Sequence, residues 1–130
     1  MLQCIVVTPE RTVYDQPADF VALTLFDGEI GIAARHTPMI GRLGCGEMRI
    51  LREEGIDRYY VEGGFVEVLG DVVSVLTNRA VPAAEIDEAV VEERLRAAQS
   101  RVVTTPEAMA IRDRTQEQCR AQLRVVRRTR

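Results

Sequence analysis

The strongest constraint on the fold is a change in hydrophobic periodicity near Pro82 in a chain of 130 residues. Before that point, short apolar or alternating runs are separated by glycine- and proline-containing turns, a pattern typical of β-strands. After it, apolar residues recur at spacings of three and four, as on one face of a helix. The sequence therefore predicts an α+β fold, with an N-terminal antiparallel β-sandwich in residues 1–83 and a C-terminal antiparallel two-helix hairpin in residues 84–130.

The N-terminal part contains roughly nine strand-like runs, and this frequent alternation of strand and turn favours a sandwich or a barrel. The run FVALTLF at residues 20–26 is almost continuously apolar, so we expect its strand to be buried on both faces. Gly70-Asp71 lies between two apolar runs and predicts a tight hairpin turn. Pro17 is expected to end the second strand, because proline cannot donate to a β-ladder.

The C-terminal part predicts two helices with narrow apolar stripes. The stripe of the first helix comprises Val91, Leu95, Ala98 and Val102, and that of the second comprises Ala108, Ile111, Thr115, Cys119, Leu123 and Val126. Thr105 is the expected N-cap of the second helix, with Pro106 at its first position. Because a hairpin of this size is marginal alone, we expect it to lean on the sandwich or a partner and to detach at modest cost.

Charge is distributed unevenly along the chain. The net charge is −3, yet residues 111–130 carry seven arginines against two acidic residues. Aromatic residues make up 5% of the chain and none follows Phe65, so base stacking and nucleic-acid binding are not indicated. The basic helix also lacks the large apolar residues that membrane insertion requires, and neither a spanning segment nor a signal sequence is expected. An acidic protein surface is therefore the predicted partner of the second helix.

Residues 27–41 (DGEIGIAARHTPMIG) form the most distinctive stretch for function. They combine three glycines, apolar residues expected to be exposed (Ile30, Ile32, Met39 and Ile40) and the only histidine, His36. No nucleophile-elbow pattern, phosphate-binding glycine motif or CxxC pair occurs in the sequence. We therefore expect a docking surface rather than an active site, with no catalytic residue, cofactor or metal ion.

Six segments in this order resemble the epsilon subunit of bacterial F-type ATP synthases, the equivalent of the mitochondrial delta subunit. They are VVTPERTVYD at residues 6–15, DGEIGI at 27–32, RHTPMIG at 35–41, GEMRI at 46–50, YVEGGFVEV at 60–68 and VVSVLTNRAV at 72–81. IDEA at residues 86–89 then opens the helical part. The resemblance covers the whole chain and implies a β-sandwich followed by a helical hairpin.

The resemblance implies a subunit of the rotor's central stalk, bound to the gamma subunit and the membrane c-ring on the cytoplasmic face of the bacterial plasma membrane, without catalytic residues of its own. Gamma would bind a side face of the sandwich and part of the same end as the c-ring. The residues carried over to the c-ring and gamma interface are Glu29, Ile30, Gly31, Ile32, His36, Thr37 and Pro38, to which we add Met39 and Ile40 as apolar anchors.

The resemblance also implies regulation by the helical hairpin, which in the family either folds against the sandwich or extends along gamma. When the hairpin is extended, its basic helix approaches acidic loops of the catalytic beta subunits, which neighbour the alpha subunits, and slows ATP hydrolysis. The matching residues are Arg112, Arg114, Arg120, Arg124, Arg127 and Arg128. Some members bind ATP through an Ile/Leu-Asp-x-x-Arg-Ala motif; here Ile86 and Asp87 match, but Val90 replaces the arginine, so ATP sensing is not expected.

Two alternatives remain open from the sequence. The chain could be a free-standing sandwich adaptor with a helical arm, unrelated to the synthase. It could also be a small enzyme built around His36, whose neighbours Asp27 and Glu29 are potential orienting groups.

Overall fold

The computed structural model describes residues 1–128, which form ten strands and two α-helices. The strands are β1 Leu2–Val7, β2 Thr12–Ala18, β3 Phe20–Leu25, β4 Gly28–Ala33, β5 Met39–Arg42, β6 Cys45–Arg52, β7 Gly55–Glu62, β8 Phe65–Leu69, β9 Val72–Leu76 and β10 Ala80–Pro82. A 3₁₀ turn at Ala83–Glu85 leads into helices α1 Glu88–Ser100 and α2 Pro106–Arg128. The predicted fold class, a sandwich followed by two helices, is confirmed.

The strands form two five-stranded sheets. The first sheet has the order β2-β1-β9-β8-β5, and the second has the order β10-β7-β6-β3-β4. β1 pairs in parallel with β9, so the first sheet is mixed rather than purely antiparallel. Pro17 does not end β2 as predicted; it lies within the strand, opposite Gln3. Proline is tolerated there because β2 is an edge strand with one side free of ladder hydrogen bonds.

The main core lies between the two sheets. β1 alternates in burial, with Leu2, Cys4 and Val6 pointing inward. In β3, residues 21–23 are all buried, so the expectation of burial on both faces holds for the centre of the strand and fails at its ends. The Gly70-Asp71 turn forms as predicted between β8 and β9, with positive φ at both residues, as a type I′ turn requires.

The two helices pack against each other as an antiparallel hairpin, and we call α1, α2 and their connection the arm. The Thr105 hydroxyl accepts a hydrogen bond from the Ala108 backbone N–H at 3.1 Å, which confirms the predicted cap. Val91, Cys119 and Leu123 form the buried contact between the helices. The placement of Val102 on the first stripe is wrong: α1 ends at Ser100 and Val102 is 89% exposed. β-branched residues before Pro106 favour extended backbone there.

The arm rests on the outer face of the second sheet through the C-terminal half of α2. Ala121 and Val125 pack on Tyr60 and Ala83, and Cys45 lies at the margin of this contact. The N-terminal half of α2 leaves Ile111 52% exposed, contrary to its predicted place on the buried stripe. α2 therefore has two buried faces near its end and almost none near its start. Among the described residues, neither helix is both long and apolar enough to span a membrane.

Candidate functional site and interaction surfaces

The predicted docking residues lie along one edge of the sandwich, where β4 of the second sheet is joined to β5 of the first. We call this the β4–β5 edge. Glu29 is near one end of β4, opposite Thr24, whereas the corner at residues 34–38 follows its other end. Four residues of strand separate Glu29 from Ala33, or about 13 Å. The structure therefore brings Glu29 and His36 to one edge but not to one site.

Side-chain direction along this edge corrects the sequence interpretation. Ile32 was expected to be exposed, but it is fully buried in the core between the sheets. Ile30 and Met39 are partly buried and also pack against that core. Only Ile40 of the four apolar residues projects from the sandwich, with 73% of its surface exposed. Alternation along a strand sends neighbours to opposite faces, so a contiguous run of interface side chains is not possible here.

The corner of the β4–β5 edge is held by local hydrogen bonds. The Arg35 backbone N–H donates to Asp71 Oδ1 at 2.6 Å, which fixes a left-handed φ of 64° at Arg35. His36 Nδ1 lies 2.7 Å from the carbonyl oxygen of Thr37 and donates to it in the tautomer that this geometry requires. This bond shapes the chain before Pro38. It does not place a nucleophile beside the imidazole.

The outer face of the first sheet carries large exposed apolar residues on both sides of the polar pair formed by Glu67 and Ser74. Phe65 pairs with Leu76 across β8 and β9, and the two side chains are 57% and 53% exposed. Leu69 on β8 and Ile40 on neighbouring β5 are 59% and 73% exposed. We call these four residues the apolar face. Sequence reasoning missed it, although β8 carries apolar residues at both odd and even positions, a pattern that indicates two non-polar faces.

The outer face of the second sheet has the opposite character, because a buried carboxylate lies beneath the arm. The Glu47 side chain is 3% exposed, and its oxygens lie 2.7 Å from Arg49, 3.3 Å from Arg58 and 3.4 Å from Arg128. Glu29 lies beside this cluster, 3.8 Å from Arg128 and 4.0 Å from Arg49. Sequence reasoning missed Glu47, since its partner on the arm is 81 residues away.

The six arginines predicted to form the regulatory face have different surroundings. Arg127 contacts Glu88 and Glu92 of α1 at 3.5 and 3.1 Å, and Arg128 contacts the second sheet. Arg112 pairs with the adjacent Asp113. Arg114, Arg120 and Arg124 are exposed on the same helix. The two arginines at the end of α2 are therefore the ones that contact α1 and the second sheet.

Ile86 and Asp87, the two matched residues of the ATP motif, have structural roles. The Asp87 side chain caps α1 by accepting from the Val90 backbone N–H at 3.3 Å, and Ile86 packs against both apolar clusters of the arm. A crevice of about 200 Å³ beside them is also lined by Arg79 and Arg94. Val90, which stands at the arginine position of the motif, is 54% exposed at this crevice.

Burial raises the pKa values of several titratable groups of the sandwich. Desolvation raises the pKa of the Tyr60 hydroxyl, and its hydrogen bond to Glu62 acts in the same direction. Burial raises the pKa of the Cys45 thiol, and raises that of Cys4 to about 12. A thiol with a raised pKa is a poor nucleophile at neutral pH. Cys4 and Cys45 are therefore structural residues with low reactivity.

These features define a class of protein: a β-sandwich that carries a helical arm on one sheet and presents an apolar face on the other. The family model for the beta-sandwich domain of the ATP synthase delta/epsilon chain matches residues 1–83. The ATP synthase epsilon chain of Rhodopirellula baltica is 47% identical over 97% of this chain and 98% of its own length. That of Rubrobacter xylanophilus is 39% identical over 82% of this chain and 73% of its own length.

The fold has a solved counterpart. A chain in the structure of the Euglena gracilis mitochondrial ATP synthase, OSCP/F1/c-ring, superposes with a TM-score of 0.85 and 22% identity, covering 92% of this chain and 78% of that one. The chain described here belongs to the ATP synthase epsilon-chain family. This membership sets aside the alternative of an adaptor unrelated to the synthase.

Proposed function

We propose that the chain is a non-catalytic central-stalk subunit of a bacterial F-type ATP synthase, linking gamma to the c-ring and regulating ATP hydrolysis with its arm. The observation that carries this proposal is the 47% identity to an ATP synthase epsilon chain, which extends over almost the full length of both chains. The arm is included in that match, so the proposal covers both the platform and its regulatory part.

The apolar face is the proposed binding surface for gamma. Phe65, Leu69 and Leu76 are each more than half exposed and flank the polar pair of Glu67 and Ser74 on the same outer face. Clustered apolar residues on a protein surface mark sites of protein contact, because their burial removes apolar area from water. Contact with gamma would cover this face in the assembled rotor and would supply a lasting attachment.

The β4–β5 edge is the proposed contact with the polar loops of the c-ring. Glu29 offers a half-exposed carboxylate, and the corner at His36, Thr37 and Pro38 offers polar backbone with a fixed shape. Ile40 lies where this edge meets the apolar face, so gamma and the c-ring would approach adjacent surfaces. The side chains of Ile30 and Ile32 support this edge from inside the core and do not take part in the contact.

The arm is the proposed regulator of ATP hydrolysis. Its arginines correspond to those by which the extended arm would bind acidic loops of the beta subunits, next to the alpha subunits, and slow hydrolysis. Moving such an arm from 1% to 99% extended requires about 5.5 kcal/mol of differential binding. An exposed ion pair contributes only about 1 kcal/mol or less, so several arginines must act together. Conversion between a folded and an extended arm is the kind of two-state change that partners can bias.

The remaining parts of the proposal concern chemistry and location. The chain has no catalytic, metal or cofactor role of its own, and ATP does not bind at Ile86 and Asp87 because valine replaces the arginine of the motif. As part of the synthase, it lies at the cytoplasmic face of the plasma membrane as a peripheral subunit. His36 serves to shape the corner of the edge, which its bond to the Thr37 carbonyl supports.

Deletion of residues 84–130 tests the proposal. The truncated chain is expected to co-purify with gamma and the c-ring as the full chain does, and the assembled complex is expected to hydrolyse ATP faster. Loss of gamma binding by the truncated chain would contradict the assignment of the platform to the sandwich. Retained binding with no rise in hydrolysis would contradict the regulatory part alone.

A further inference from the structure

The end of α2 carries two consecutive arginines that point to different parts of the chain. Arg127 lies between Glu88 and Glu92 at the start of α1, and Arg128 reaches Glu47 and Glu29 on the second sheet. One of these arginines therefore ties the two helices together, and the other ties the helices to the sandwich. Both ties sit at the base of the arm, where lifting or opening must begin.

Glu47 is built to receive Arg128 without depending on it. Arg49 and Arg58 of the same sheet hold its carboxylate at 2.7 and 3.3 Å, so its charge stays compensated when Arg128 leaves. A buried carboxylate stripped of every partner would oppose release of the arm, because an unpaired buried charge is strongly unfavourable. Arg128 itself is 56% exposed and passes easily into water. The arrangement is suited to repeated docking and release.

The geometry points to an intramolecular latch: Arg127 and Arg128 are held by Glu88, Glu92, Glu47 and Glu29 in the docked arm, and an acidic partner surface must compete with these carboxylates for the same two arginines. The last clause rests on the proposed function, in which that partner is the beta subunit. The latch itself concerns only this chain. It makes docking of the arm and binding of its basic end to the partner mutually exclusive.

Glu29 extends this competition to the β4–β5 edge, the proposed contact with the c-ring. It belongs to the β4–β5 edge and also lies 3.8 Å from Arg128, with 56% of its side chain exposed. A cation of the c-ring or of gamma that pairs with Glu29 withdraws it from Arg128. Occupation of the edge therefore weakens the latch, by a smaller amount than loss of Glu47 does.

The native cysteines report separately on three parts of the structure. Cys45 is partly exposed at the margin of the Tyr60, Ala121 and Val125 cluster beneath α2, so its labelling has a baseline rate in the docked arm and becomes faster when the arm lifts. Cys119 is buried between the helices and is uncovered only when they separate. Cys4 lies in the core between the sheets and is uncovered only by unfolding. Alkylation of the full chain, resolved by cysteine with mass spectrometry, therefore distinguishes lifting, opening and unfolding.

The first test is the rate of iodoacetamide labelling in an R128Q chain, with R120Q as the matched control on an exposed stretch of the same helix. We expect Cys45 in R128Q to react about 2- to 5-fold faster than in the wild type, the range for loss of one partly screened ion pair. R120Q is expected to match the wild type, and Cys4 is expected to stay unreactive in both. A Cys45 rate in R128Q within the spread of the wild type and R120Q would overturn the latch.

The second test uses E47Q, which removes the other side of the tie, and then compares hydrolysis by the assembled synthase. Cys45 should again react faster than in the wild type, and an unreactive Cys4 shows that the sandwich of E47Q is folded. If Cys4 does react, E47Q has unfolded and the labelling of R128Q alone tests the latch. E47Q frees Arg128 for the partner and should deepen inhibition, whereas R128Q removes an arginine from both contacts and should not. Faster Cys45 labelling without any change in hydrolysis would leave the latch standing and contradict the proposed brake.

Discussion

The outer faces of the two sheets are built for different kinds of contact. The first sheet presents Phe65, Leu69 and Leu76 to solvent, each more than half exposed. The second sheet is covered by the arm, and under the end of α2 it holds Glu47 among three guanidinium groups. Apolar area removed from water gives an attachment that salt hardly affects, whereas ion pairs at a surface are screened by salt and readily exchanged. Under the proposed function, one sandwich combines a lasting attachment to gamma with a reversible attachment of the arm.

Tyr60 shows how the reversible contact is kept modest. Its ring is fully buried beneath Ala121 and Val125, small and medium residues that bury little area of their own. Along the first half of α2 the contact with the sandwich is lost, and Met109 and Ile111 remain about half exposed. The arm is therefore attached over only part of its length, and the rest of its attachment energy depends on the ion pairs at its base.

The largest expected effect comes from charging the apolar face. F65D combined with L76D should weaken binding of gamma by about 100-fold or more, because two apolar side chains together supply about 3–6 kcal/mol when fully buried. V102D serves as the control, since Val102 is exposed in the helix connection and away from this face. The measurement is the affinity of each variant for immobilised gamma. Equal affinity of the double variant and the control would break the comparison between the two sheets.

A charge placed under the arm tests the second face. V125D puts a carboxylate into the cluster with Tyr60 and Ala83, and the arm should lift because an unpaired charge there is unfavourable by about 3 kcal/mol or more. Hydrogen exchange over α2 should become fast while the amides of β1 and β9 stay protected. A110D, at an exposed position of α2, is the control. Joint loss of protection in arm and sandwich would show that the two do not separate as described.

Alkaline pH tests the interior that both faces share. Burial raises the pKa of the Cys4 thiol to about 12, whereas the ordinary pKa of a cysteine thiol is 9.0. As pH rises, the Cys4 thiol therefore loses its proton in the unfolded chain before it does so in the folded chain. Its contribution to the free energy of unfolding is fully present below pH 9 and is lost as pH rises towards 12. The expected loss is about 3 kcal/mol near pH 11. Urea unfolding of C4A should show a shallower decline than wild type over this range; identical slopes would contradict it.

Ionic strength should produce the smallest effect. Raising the salt concentration from 0.05 to 0.5 M should accelerate labelling of Cys45 by about 2- to 3-fold in the wild type, since the base of the arm is held by screened ion pairs. The R128Q chain should respond less, and the affinity of the sandwich for gamma should stay nearly constant. A gamma affinity that falls more steeply with salt than the Cys45 rate rises would reverse the assignment of the two faces.

The features that the sequence predicted are those set by neighbouring residues. The change from strands to helices, the Gly70-Asp71 turn and the Thr105 cap each depend on a few consecutive residues, and each is present in the structure. The features that it missed depend on pairing across the fold. Glu47 is paired with the nearby Arg49, but Arg58 and Arg128 also reach it, from 11 and 81 residues away.

The same limit explains the errors at the candidate site. Ile32 and Ile40 look alike in the sequence, yet one is buried and the other is 73% exposed, because Ile32 lies on the inner face of β4 and Ile40 on the outer face of β5. Periodicity identified Cys119 and Leu123 on the stripe of α2 that contacts α1, but it wrongly placed Ile111 on that buried stripe. The second stripe, with Ala121 and Val125, became visible only once the sandwich supplied Tyr60 as its partner.

The most direct test of the difference between the two faces is hydroxyl-radical footprinting of the full chain, free and bound to gamma. Phe65, Leu69 and Leu76 are predicted to lose most of their modification on binding, while Tyr60 beneath the arm gains no protection beyond that of the free chain. If Phe65 and Leu76 remained as reactive in the complex as in the free chain, gamma would bind elsewhere and the account would be contradicted.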